Sequence, residues 1–145
     1  MGMMAALGLS AMGIQVQRQR MDITSQNLAN ASSTRTPEGG PYRRKDVVMM
    51  SMPMEFETSL KTFMFGNKVQ GVKITDVVPD PTPGKQIYDP SHPDADTNGF
   101  VAMPNVTPMQ EMVDILSASK IYEANVTAFN LAKQMVMRTF EIGVA

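Results

Sequence analysis

The chain has 145 residues, 43% hydrophobic and 19% charged, which suits one domain with a modest core and excludes wholesale disorder. Its 13 basic and 14 acidic residues nearly cancel, so no basic field exists to draw nucleic acid. Cysteine is absent, which excludes disulfides and thiolate metal sites, and no run of about 18 apolar residues predicts a membrane span.

Residues from Met3 to about Ala29 read as a helix. Leu7, Ala11, Ile14, Met21 and Leu28 recur on a four-three spacing that only Arg18 and Ser25 interrupt. A second stripe, Leu9, Met12, Val16 and Ile23, is offset by two residues, or ~200° of helix rotation. A surface helix normally buries one stripe. A helix with two needs neighbours on two sides, which points to assembly rather than chemistry. Gly8 and Gly13 each cost about 1 kcal/mol relative to alanine, so this helix is marginal alone. It is no secretory signal, because no Lys or Arg precedes Arg18 and Gln15 and Gln17 break the apolar run. Ala6 stands where a myristoylation motif needs Ser or Thr. Asn30 is expected as a left-handed C-cap. Asn27 and Asn30 are candidates for hydrogen bonds that set the direction of the loop beyond.

Ser32 to Tyr42 is rich in turn residues. Arg43, Arg44 and Lys45 beside Tyr42 read either as a solvated strand start or as a contact for acidic groups on a partner. Short strands are then expected at Val47 to Met50, Val72 to Val78, Gln86 to Tyr88 and Phe100 to Met103. Pro79, Pro81, Pro83, Pro90 and Pro93 make the intervening stretch extended. Between the first two strands, Phe56, Leu60, Phe63 and Met64 fit a short helix face. Asp89, His92, Asp94, Asp96 and Asn98 before Gly99 resemble an oxygen-rich metal loop in composition. The spacing lacks the terminal glutamate of an EF-hand, so a series of solvated turns is expected and no metal site is assigned. His92 is the single histidine, so a multi-histidine site is impossible. Neither a catalytic centre nor a cofactor site is expected. The 15 methionines read either as gap filling or as an adaptable packing surface.

The second long helix starts with Thr107 as cap, Pro108 at the first position and Gln110 completing a capping box. It runs to about Ile142, with Gly143 as stop. Its first stripe is Met112, Ile115, Ser119, Tyr122, Val126, Phe129, Lys133, Val136 and Phe140. The second is Ile121, Ala124, Ala128, Leu131, Met135 and Ile142. At 1.5 Å per residue the helices are ~40 and ~50 Å long, against a radius of gyration of ~15 Å for a globule of this size. The fold class expected is α+β. A helix over residues 1–31 and another over 106–145 form a coiled-coil-like layer, with a β-rich middle at 32–105. The residues expected to pair helices or meet other subunits are Leu7, Leu9, Ile14, Val16, Met21, Ile23, Asn27, Leu28, Asn30, Ile115, Tyr122, Val126, Phe129, Leu131, Met135, Val136 and Phe140.

Ser25-Gln26-Asn27-Leu28-Ala29-Asn30-Ala31 resembles the SxNLANxxT element of the flagellar axial proteins, the family that builds the rod, the hook and their junctions; Thr34 stands slightly late for its threonine. Pro41 to Lys45, the run Tyr88 to Val101, Met103-Pro104-Asn105-Val106, and the stretches at Glu111 to Val113, Ser117 to Ser119 and Tyr122 to Asn125 are similar to its rod branch. The resemblance covers nearly the whole chain and is weakest at residues 49–70. It implies a basal-body subunit of the proximal rod that transmits torque and surrounds the export channel. Such a subunit passes largely unfolded through the flagellum's type III export channel, without a cleaved signal, and joins a helical tube in the periplasm. It implies contacts with other copies of itself, other rod proteins and the ring or export apparatus at the rod base. The terminal segments are then expected to order on incorporation. The competing reading is a soluble helical adaptor or export chaperone, which needs one exposed seam where a lattice subunit needs several.

Overall fold

The computed structural model describes residues 3–53 and 70–143. Its elements are α1 (Met3–Ala29), β1 (Lys45–Pro53), β2 (Gln70–Pro79), β3 (Gln86–Tyr88), β4 (Phe100–Ala102) and α2, the Pro108–Gly143 helix. β1 pairs with β2, and β3 with β4, as separate two-stranded sheets. The fold is α+β, as the hydrophobic periodicities predict. The helix face read at Phe56, Leu60, Phe63 and Met64 lies outside the described residues.

The chain forms two compact units, and both helices contribute to each. Unit 1 comprises Met1–Gln19, Val48–Asp76 and Ala118–Ala145. Among the described residues its buried apolar side chains are small: Val16, Ala118 and Ala132. Leu9, Gly13, Val16 and Gln17 of α1 line a cleft of about 330 Å³ with Met49 of β1, Val72 of β2 and Asn125 of α2. A methyl group on Gly13 would sit 2.8 Å from Asn125 Nδ2. The Asn125 side-chain amide fills the space a β-carbon would need, so a larger residue at position 13 would require that side chain to shift.

Unit 2 comprises Arg20–Val47 and Val77–Ser117. Within it α1 and α2 are antiparallel: Arg20 Nη2 lies 3.5 Å from Asp114 Oδ1, and Asn27 Nδ2 lies 3.2 Å from Glu111 Oε2. α2 begins where Pro108 is preset for a helix and the Thr107 carbonyl accepts the amides of Gln110 and Glu111. Among the described residues no non-glycine has a positive φ, so Asn30 is not a left-handed cap. Its side chain closes α1 instead: Nδ2 donates to the Gln26 carbonyl at 2.9 Å, and Oδ1 accepts from Ser33 Oγ. The Gln26 carbonyl, which also accepts the Asn30 backbone amide at 3.1 Å, thus takes a second donor at the helix end without a left-handed turn.

The sheet of unit 2 is antiparallel, with Ile87 opposite Val101 and Tyr88 opposite Phe100. Val101 points inward and is buried, while the Tyr88 and Phe100 rings meet edge to face on the other side, centroids 5.3 Å apart. Gly99 turns the chain into β4 with φ +77°, and a Cβ there would lie 2.9 Å from the Tyr88 ring. Gly40 has a similar φ of +76° with nothing nearby. Gly40→Ala should therefore cost only the backbone term, ~1–2 kcal/mol, and Gly99→Ala distinctly more. Urea unfolding of the two variants measures the difference, and equal losses would show that the ring contact contributes nothing.

Candidate functional site

Two kinds of surface stand out: apolar helix faces and a buried polar cluster. On α2 the first stripe is covered over most of its length. Ile115, Tyr122, Val126, Phe129 and Val136 are half-buried, whereas Met112 and Phe140 are exposed. The second stripe faces outward: Ile121, Ala124, Ala128, Leu131 and Met135 are all exposed, Leu131 by 51%. Ile142 contributes no described side chain.

α1 behaves differently. Leu7, Ile14, Met21 and Leu28 of its first stripe and Leu9 and Ile23 of its second are half-buried, and Val16 is fully buried. Of the two stripes only Ala11 and Met12 are exposed. The reason within unit 1 is visible at the cleft, where Leu9 and Val16 lie beside Met49 and Val72. Residues of β1 and β2 thus share a cleft with the side of α1 that the spacing leaves open for a neighbour.

The polar cluster lies in unit 2 and centres on Asn27 and Glu111, each 1% exposed. The Asn27 amide makes all four of its hydrogen bonds. Nδ2 donates to the Lys45 carbonyl at 2.8 Å and to Glu111 Oε2 at 3.2 Å, while Oδ1 accepts from the Lys45 amide and the Tyr42 hydroxyl, both at 2.9 Å. Glu111 Oε1 accepts from Arg44 Nε at 2.6 Å, a charge-assisted bond that offsets the desolvation of the carboxylate. Arg44 also lies 3.6 Å from Asp46 and 3.9 Å from Asp114. Its amide donates to Asn105 Oδ1 at 2.7 Å, and its carbonyl accepts from the Asp80 amide at 2.7 Å. The hydrogen bond from Arg44 to Glu111 raises the guanidinium pKa above its ordinary value. Arg44 thus meets acidic groups of its own chain, where the sequence offered either solvent or a partner.

Asn27 and Asn30 do set the loop direction, through different partners. Asn30 closes the helix, and Asn27 fastens the return of the loop at Lys45. Thr34 Oγ1 donates to Asp94 Oδ2 at 2.8 Å and ties that loop to the acidic turn. In that turn Asp89 Oδ1 accepts from the Ser91 amide, His92 Nδ1 from the Asp94 amide and Asp96 Oδ1 from the Thr97 amide. These aspartate and histidine side chains organise their own backbone.

Glu111 and Arg44 were not singled out as a pair from sequence. A signal existed: Asn27 continues the spacing of Val16 and Ile23, and a polar residue at an inward position requires a buried partner.

Asn27→Leu preserves bulk but strips partners from Glu111, Lys45 and Tyr42. It should cost on the order of 3–5 kcal/mol, read by chemical denaturation. Burial, then the Glu111 charge, raises the Tyr42 pKa above its ordinary value of 10.0. The folded phenol holds its proton after the unfolded one begins to lose it. This contribution is therefore complete below pH 10 and is lost as pH rises through the folded value. Tyr42→Phe should flatten that alkaline loss in a stability-versus-pH series.

Residues 97–142 match the family described as the C-terminal region of the flagellar basal body rod proteins FlgEFG. The chain is 44% identical to the flagellar basal-body rod protein FlgC of Bacillus subtilis (strain 168), over 95% of this chain and 96% of that protein. It is 39% identical to FlgC of Borreliella burgdorferi, over 93% of each, and 36% identical to FlgC of Salmonella typhimurium, over 99% of each. The chain belongs to the FlgC family of flagellar basal-body rod proteins.

Proposed function

We propose that this chain is a structural subunit of the proximal rod that polymerises through its terminal helices into a helical tube around the export channel. The observation that carries the reading is the outward stripe of α2, where Leu131 is 51% and Met135 55% exposed. A contiguous exposed apolar stripe of this kind marks an interaction surface. A second exposed set on the same helix, Met109, Val113 and Leu116, lies on unit 2. Exposure in both units favours a lattice subunit over an adaptor, which needs one seam. A patch that meets a different patch on the next copy generates a helix rather than a closed ring.

In this reading residues 1–31 and 106–145 are the assembling segments and 32–105 the outer segment. The contact set comprises Leu131, Met135 and Phe140, with the half-covered first stripe of α2 closing against its own chain. The partners are further copies, other rod proteins and the ring or export apparatus at the rod base, and the role is structural rather than catalytic. The subunit reaches the periplasm by the flagellar export route with its N-terminus uncleaved. Among the described residues no helix is long and apolar enough to cross a membrane.

Leu131→Glu tests the reading. A charge on the outward stripe should reduce incorporation into isolated basal bodies at least tenfold while the secreted amount changes little. Normal rods built from that variant would refute it.

A further inference from the structure

We infer that Asn98 is a site of spontaneous covalent modification, converting to aspartate or isoaspartate, and that the turn between β3 and β4 holds this chemistry back. The inference is independent of the rod reading and concerns a loop that lies wholly within unit 2.

Asn98-Gly99 is the one Asn-Gly pair in the sequence; Asn27, Asn30, Asn67, Asn105, Asn125 and Asn130 each precede a residue with a side chain. The reaction begins when the Gly99 backbone nitrogen loses its proton to water and attacks Cγ of Asn98. The new N–Cγ bond forms, the Cγ–Nδ2 bond breaks, and Nδ2 takes up a proton and leaves as ammonia. Water then opens the cyclic imide at either carbonyl. One opening gives aspartate. The other gives isoaspartate, whose main chain runs through the former side chain and is longer by a methylene. A side chain on the following residue hinders the attack, and glycine has none.

The fold requires that glycine. Gly99 has a φ of +77°, and a β-carbon there would lie 2.9 Å from the Tyr88 ring. Asn98 itself is exposed, so water reaches its side-chain amide. The residue that shapes the turn is therefore also the one that leaves its neighbour open to attack.

The same turn engages the nucleophile. The Gly99 amide donates to the Asp96 carbonyl at 2.8 Å and closes the turn, while the Asp96 amide donates to the Phe100 carbonyl at 2.8 Å. The Gly99 carbonyl accepts from the Asp89 amide at 2.9 Å. Gly99 is thus pinned on both sides of its α-carbon. To attack, its nitrogen has to give up the bond to Asp96 and turn toward Cγ of Asn98. An unfolded chain carries neither constraint, so the modification drains the unfolded population. Isoaspartate lengthens the main chain inside the Asp96–Phe100 bond, so a chain so altered no longer closes the β3–β4 connection in the same way.

Peptide mapping by mass spectrometry tests this on the purified full-length chain, aged in mildly alkaline buffer with and without urea. In urea Asn98 should convert at least about tenfold faster than Asn105 or Asn125, and at least about tenfold faster than Asn98 in the folded chain. Equal rates in urea and in buffer, or no excess over Asn105 and Asn125, overturn the inference. The isoaspartyl form, separated by chromatography and refolded, should melt several degrees below the Asn98→Asp variant. Equal Tm values would refute the role given to the turn.

Discussion

The carboxylate of Glu111 holds unit 2 together. It is almost completely withdrawn from water, and a charge in that position is tolerable only if donors replace its hydration. Arg44 and Asn27 supply them, one to each oxygen. Because Arg44 immediately precedes β1 and Asn27 lies in the last turns of α1, satisfying one carboxylate brings three chain segments to one point. The loop between them needs no apolar core of its own. Its path is dictated by where the Asn27 amide places the backbone of Lys45.

This arrangement explains why polar residues at a helix–loop junction matter in a protein whose larger surfaces are apolar. Apolar contacts are non-directional and tolerate sliding. A fully bonded amide does not: a shift of one residue would carry the Glu111 and Tyr42 side chains away from it. In unit 2 the register between the helices is therefore set by directional bonds, and the exposed apolar faces are carried in fixed positions on helices so registered.

Much of the fold was legible because the helix signals were strong and local. The stripe spacing, Pro108 and the terminal Gly143 located both helices, and the alternation from Val72 located β2. Asn30 was legible as a helix end, but its mechanism was not, since side-chain and left-handed capping leave the same residue in the same place. Arg44 was obscured by its basic neighbours: a run of three cations looks solvated, and only long-range geometry reveals that the middle one faces Glu111. The cleft that α1 shares with Met49 and Val72 was hidden for the same reason, because helix periodicity reports which faces are apolar and not which segment lies near them. The outward stripe of α2 is the counterpart case, where spacing and exposure coincide.

The exposed faces are unusually rich in thioethers. Met4, Met12, Met109, Met112, Met135 and Met137 on the helices and Met49, Met50 and Met52 on β1 all reach solvent, and with no cysteine in the chain an oxidant that attacks sulfur meets methionine. Conversion to the sulfoxide makes a pliable apolar side chain polar. A subunit oxidised before it joins its neighbours would present hydrated patches where close apolar packing is required, whereas one already assembled would have the same atoms shielded. If these methionines form the proposed contact faces, the same pliable side chains that suit varied neighbours are also sites where oxidation before assembly would oppose it.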